Sequence, residues 1–150
     1  MHQVNDNNAL LNSDKLNKID RREWDTLKIS THNINGIKND KLKLFNMVNW
    51  AREKDIKILG ISDTNIGKKE GKWINDRELK DMGYTGYWSN KDQKIKGSGV
   101  AILVKNEWAK HIGSVISINP YLIEVKLFFK GVTIKVIQLY ALPNDDITSK

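Results

Sequence analysis

Near the start of the chain two short apolar segments bracket an amphipathic one, and this limits the available folds more than any other feature. In "LKISTHNINGIK" (27–38), Leu27 and Ile29 alternate with polar residues, which predicts a strand ended by a turn at Asn35-Gly36. "NDKLKLFNMVNWAREKD" (39–55) puts Leu44, Met47, Val48 and Ala51 on one helical face, with Asn39 or Asp40 as the cap. "IKILGIS" (56–62) reads as a second strand. Strand, helix, strand predicts a crossover unit with its two strands close in one sheet. Parallel strands bring their carboxyl ends together, here Thr31–Asn35 beside Ser62–Asn65. In such sheets that is the end at which ligands bind.

Residues 66–97 read as loop-rich, with a short helix starting near Asn75-Asp76. "GSGVAILVK" (97–105) is a strand after a glycine turn. "YLIEVKLFF" (121–129) and "VTIKVIQLY" (132–140) form a hairpin joined at Lys130-Gly131, with period-two alternation. Residues 1–23 are polar and Asn/Asp-rich and read as a flexible arm, leaving 24–150 as one domain.

The chain has 150 residues, enough for one core and too few for two ordinary domains. It has no cysteine, which excludes disulfides and thiolate metal sites. No apolar run is long enough to span a bilayer and no secretory signal is visible, so an intracellular, non-membrane protein is expected, in nucleus or cytoplasm. A net charge of +7 favours polyanionic partners such as nucleic acid, or marks no more than a lysine-rich chain.

Asp63 ends the second apolar segment in "ILGISDTNIG" (58–67). A carboxylate there, beside the amide of Asn33, suits a hard cation such as Mg²⁺, which takes oxygen ligands and keeps several waters. Asp-Thr-Asn is equally ordinary turn chemistry. Asn33 shares the parity of Leu27 and Ile29, so its side chain projects on their face and needs a partner. Asn35 before Gly36 is ordinary turn composition. His32 has the opposite parity and forms no cluster with His2 or His111, which argues against zinc. Tyr84, Tyr87 and Trp88, interleaved with Lys91, Lys94 and Lys96, suit base stacking and phosphate contact, or else a core edge with solvated lysines. Tyr140, at the end of the last strand, can orient a phosphate or serve the core.

In order along the chain, "LKISTHNINGI", "ILGISDTNIG", "GYWSNKDQKIKGSGVAILVK" and "VTIKVIQLYALPN" resemble four motifs of the endonuclease/exonuclease/phosphatase superfamily. This is the fold of DNase I, of exonuclease III-class repair enzymes and of non-LTR retrotransposon endonucleases. The matches span residues 27–144. The resemblance implies an α/β fold, the N-terminal half of a four-layer α/β/β/α sandwich, expected here as one mixed sheet with a helix on one face. It implies a Mg²⁺- (or Mn²⁺-) dependent phosphodiesterase acting on DNA, of retrotransposon type. Asp63 stands at the metal carboxylate, Asn33 and Asn35 at the first-strand positions beside it, Tyr140 at the tyrosine near the scissile phosphate and Asn144 at the nearby asparagine. Tyr87, Trp88, Lys91, Lys94 and Lys96 are the nucleic-acid-binding candidates.

The chain departs from the pattern in places. The family carboxylate is usually Glu, and Asp63 reaches roughly 1.5 Å less far, one C–C bond. Ser62 replaces the usual Gln, and "YALPN" carries one residue more than Y-x-P-N. The later D-x-N and S-D-H motifs do not follow, so a truncated copy, inactive alone, is expected, with self-association through an exposed sheet face. The alternatives are a non-catalytic basic nucleic-acid-binding module using residues 84–96, or a phosphatase or ribonuclease of the same superfamily.

Overall fold

The computed structural model describes residues 26–95 and 97–142. The arm at 1–23, Lys96 and Asn144 lie outside the described residues. The chain opens with β1 (Ile29–Asn33), α1 (Leu42–Glu53) and β2 (Ile58–Ser62), and β1 pairs parallel to β2 in register Ile29↔Ile58 to Asn33↔Ser62. The crossover unit is therefore as expected, with shorter elements. The first strand stops at Asn33, because Ile34 to Ile37 turn away as a loop bonded to the segment after β2. Neither Asn39 nor Asp40 caps α1: the N-cap is Lys41, with no side-chain cap bond. The helix buries Leu44, Val48 and Ala51, and Met47 is partly buried against the same core.

The stretch 66–97 holds more regular structure than its composition suggests. It contains α2 (Lys68–Ile74), a π-helical turn (Asn75–Leu79) and β3 (Tyr84–Trp88). Then come β4 (Val100–Lys105), α3 (Asn106–Ala109), β5 (Ile112–Asn119), β6 (Leu122–Phe129) and β7 (Val132–Leu139). The hairpin β6–β7 turns at Lys130-Gly131 as expected.

The strands form two sheets, not the single mixed sheet expected: β1-β2-β4-β3 and β5-β6-β7. The physical reason lies in β2 and β4. Every residue of β2 and all but the last of β4 are buried, so that sheet is covered on both faces. Leu59, Ile61, Ala101 and Leu103 face α1 and α2, while Ile58, Val100, Ile102 and Val104 face Ile123, Val125 and Leu127 of the second sheet. The layers are thus helix, sheet, sheet.

The two sheets approach closely at Gly60. A Cβ there would collide with the amide of Gln138, a buried side chain of β7. Gln138 Oε1 instead accepts a hydrogen bond from Thr31 Oγ1 (2.9 Å), which ties β7 to β1. No helix among the described residues is long and apolar enough to cross a membrane.

Candidate functional site

The parallel pairing of β1 and β2 carries two loops out of the same end of the sheet, and backbone hydrogen bonds stitch them together. Gly36 N–H donates to Asp63 O (2.7 Å) and Ile37 N–H to Thr64 O (2.9 Å). On the other side, Thr64 N–H donates to Gly99 O (3.0 Å) and Asn65 N–H to Ser98 O (2.7 Å). Asn35, Asp63 and Asn65 all adopt left-handed backbone, with φ of 54°, 57° and 56°. Among residues with a side chain, Asn and Asp tolerate that region best, which explains their presence at these bends.

Asn35, Gly36, Asp63, Asn65, Gly97 and Tyr140 line a polar cavity of about 250 Å³. Asp63 is 8% exposed, and among the described residues its carboxylate accepts no hydrogen bond. Burial pushes its pKa above the usual carboxylate value, and the nearby Lys43 ammonium opposes this without cancelling it. Lys43 Nζ itself is held by the carbonyls of Asn35 (3.0 Å) and Gly36 (3.3 Å). Gly97 has φ +86°, and a Cβ there would sit 3.1 Å from Asp63 Oδ1, so a side chain would crowd the carboxylate.

A buried carboxylate without hydrogen-bond donors, facing a polar hollow lined by two amides, matches the needs of a hard divalent cation that retains part of its water shell. Asp63 would hold it, with the amide oxygens of Asn35 and Asn65 in reach of its waters. Asp63 is the one carboxylate in the lining, and among the described residues no group of three or more His, Asp or Glu side chains converges.

The structure brings Asp63, Asn35 and Tyr140 together and leaves Asn33 outside the lining. Asn33 is exposed, and its Oδ1 accepts the Asn35 N–H (2.9 Å), which fixes the turn. The aromatic candidates are used by the core. Trp88 is 6% exposed, packs among the helix-side residues and donates Nε1–H to Asn75 Oδ1 (3.3 Å). Tyr87 is partly buried on the opposite face, between the sheets. Lys94 is exposed and Lys91 partly so.

Sequence reasoning missed Asn65, Lys43 and Gly97. Asn65 was legible as the second polar residue after Asp63, in phase with it. Lys43 and Gly97 reach the cleft only through tertiary packing. Tyr121 was missed too: its ring stacks on Tyr140 (centroids 6.3 Å apart, planes at 17°), and its hydroxyl donates to Asp92 Oδ2 (2.9 Å).

No sequence-family model and no curated protein matches the chain. Solved structures do. An AP endonuclease from Archaeoglobus fulgidus aligns with TM-score 0.56 and 22% identity, over 76% of this chain and 40% of that one. The AP endonuclease LMAP from Leishmania major gives 0.56 and 13%, over 87% and 50%. The endonuclease domain of TRAS1, a telomere-specific non-LTR retrotransposon, gives 0.52 and 13%, over 82% and 51%. The chain therefore has a DNase I-like α/β fold and spans about half the length of the structures it matches, in keeping with an N-terminal half.

Proposed function

We propose that the Asp63 cleft is the metal- and phosphate-binding half-site of a Mg²⁺- or Mn²⁺-dependent endonuclease of the retrotransposon and AP type, with DNA as its substrate. The observation that carries this reading is the convergence of Asp63, Asn35, Asn65 and Tyr140 on one polar cavity at the carboxyl ends of two parallel strands. Similar folds in DNA-processing endonucleases support it.

In this reading Asp63 holds the cation, and the Asn35 and Asn65 amides orient the waters around it. The Tyr140 hydroxyl donates to a non-bridging phosphate oxygen, and Asn144 is the candidate second donor. When bound, the cation neutralises charge on the phosphate as the transition state forms. Lys43 adds positive charge at the rim while keeping the Asn35 loop in place. The +7 charge supplies sequence-indifferent attraction to the nucleic-acid backbone.

The 150-residue chain alone is expected to bind without turning over. In-line displacement needs an oriented nucleophile and stabilisation of both the entering and leaving oxygens. Among the described residues one carboxylate faces the cleft and no histidine lines it.

Three measurements on the full chain test the reading. In the first, Mn²⁺ is titrated while backbone amide signals are followed. Broadening centred on residues 35, 63–65 and 97, absent in Asp63→Ala, is expected, and broadening that ignores the substitution removes the metal assignment. In the second, nicking of supercoiled plasmid is assayed with Mg²⁺ and with Mn²⁺. No nicking is expected, and nicking by the wild-type chain that disappears in Asp63→Ala would overturn the reading of a chain that binds without turning over. In the third, affinity for a random duplex should fall steeply with added salt, and a flat dependence would exclude an electrostatic footprint.

A further inference from the structure

Tyr140 leaves the end of β7 with no secondary structure after it among the described residues, yet its side chain forms a wall of the cleft. What holds it there is a set of contacts centred on Tyr121, at the turn between β5 and β6. Tyr140 N–H donates to Tyr121 O (2.9 Å), and the two rings stack. The 6.3 Å separation and near-parallel planes fit an offset aromatic pair.

Tyr121 is in turn fixed at both ends. Its N–H donates to Asn119 Oδ1 (2.8 Å), and its hydroxyl to Asp92 Oδ2 (2.9 Å). The other oxygen of Asp92 accepts Lys94 N–H (2.9 Å), and Asp92 N–H donates to Ser98 Oγ (2.6 Å). Gly99 N–H donates to Pro120 O (3.0 Å), so the loop 92–99 is pinned to the Tyr121 turn at two points. That loop carries Gly97, another wall of the cleft. Two walls that belong to different sheets thus meet at a single side chain.

The geometry points to Tyr121, anchored by Asp92, as the positioning residue of the cleft: it sets where the Tyr140 ring and the Gly97 loop stand relative to Asp63. This rests on the reading of Tyr140 as the phosphate-facing group, but the clamp itself is a property of the chain with or without metal. An aromatic pair of this kind biases the rotamer it favours by about two- to tenfold. Without it, the Tyr140 ring keeps only its packing against the core between the sheets and spreads over more rotamers.

The test uses the full chain labelled with ¹³C at tyrosine, whose four tyrosines can be assigned by substitution. Three-bond couplings across χ1 of Tyr140 report its rotamer populations without metal. Tyr121→Ala is expected to average them, lowering the major rotamer relative to the others by about two- to tenfold. Tyr121→Phe keeps the ring and should restore most of the bias, with Asp92→Asn behaving like it. Tyr121→Leu, which fills the space without a ring, decides the matter if Tyr121→Ala does not fold.

Unchanged Tyr140 couplings in Tyr121→Ala, or in Tyr121→Leu if Tyr121→Ala does not fold, overturn the proposal. Equal loss in Tyr121→Phe and Tyr121→Ala also overturns it, because the stack then does nothing. A second arm adds Mn²⁺. Tyr121→Ala should weaken the broadening of the Tyr140 ring while leaving that of the Asn65 amide unchanged. If Mn²⁺ broadens neither in the wild-type chain, the metal reading fails and the couplings still judge the clamp.

Discussion

Asp55 and Asp63 flank β2 at its two ends and are shifted in opposite directions. Asp55 accepts hydrogen bonds from Lys105 (2.7 Å) and Lys57 (2.8 Å), which hold its pKa down at about 2. A carboxylate lowered in the folded state contributes stability that is complete above its unfolded pKa of 3.8 and is lost as pH falls through about 2. The side chain is half exposed, so solvent limits the contribution to about 1 kcal/mol or less. Melting curves from pH 5 to pH 2 should show the wild-type advantage over Asp55→Asn shrinking across that window, and parallel curves would contradict it. For Asp63, raised by burial, the linkage reverses: its ionised form costs stability at neutral pH, and the cost fades as pH falls toward 3.8. In the presence of chelator, Asp63→Asn should therefore melt higher than wild type at pH 7, by roughly 1–4 °C for a domain of this size. Asn also suits the φ of 57°. A lower melting point would mean that the carboxylate has a stabilising partner. Asp63 was legible from sequence because a carboxylate breaks an apolar run. Asn65 and Lys43 were less so, because what matters is the cavity they border or brace.

At the level of elements, the β6–β7 hairpin was legible because alternation and a glycine turn both pointed to it. The strand β3 was not: "YTGYW" has a glycine at its centre, and its pattern is aromatic with no alternation of polarity. The strand β5 was hidden by register shifts between Ile112 and Ser114 and between Ile116 and Asn119, which break the period-two pattern. The division into two sheets was beyond local reading, since nothing in a fully apolar strand says which of its faces meets helices and which meets another sheet. Gly60 is the clearest mark of that meeting. Its replacement by Ala forces Gln138 out of place and should cost about 1–3 kcal/mol in chemical denaturation. Because Gln138 is the obstacle, Gln138→Ala in the Gly60→Ala background should recover part of the loss, a coupling that additive effects would exclude.

For the whole molecule, the three-stranded sheet has one face against the first sheet and another that is open among the described residues. Leu122 pairs with Leu139, and Glu124 lies between Ile116 and Ile137. Ile137 is 49% exposed and Leu139 62%. Lys126 opposite Lys135, with Lys135 Nζ 3.4 Å from Glu124, makes the other end of this face polar. A contiguous apolar patch of this kind favours association. Sedimentation should show reversible growth in size with concentration, and Ile137→Lys should suppress it by placing a cation beside Glu124. A wild-type chain that stays monomeric over the same range would show that the patch is harmless.

The bend at Asn35-Gly36 also bears on how the protein ages. In an Asn-Gly pair the glycine nitrogen can attack the asparagine amide carbon, expel ammonia and form a succinimide that water opens to aspartate or isoaspartate. Here that nitrogen is engaged, its N–H donated to Asp63 O at 2.7 Å. Folded protein should deamidate at Asn35 more slowly than denatured protein under the same warm, mildly alkaline storage. Peptide mapping of residues 29–38 would measure both rates, and equal rates would show that the hydrogen bond gives no protection. The lesion would not be neutral: it sets a second carboxylate beside Asp63, so old preparations should take up Mn²⁺ more tightly than fresh ones.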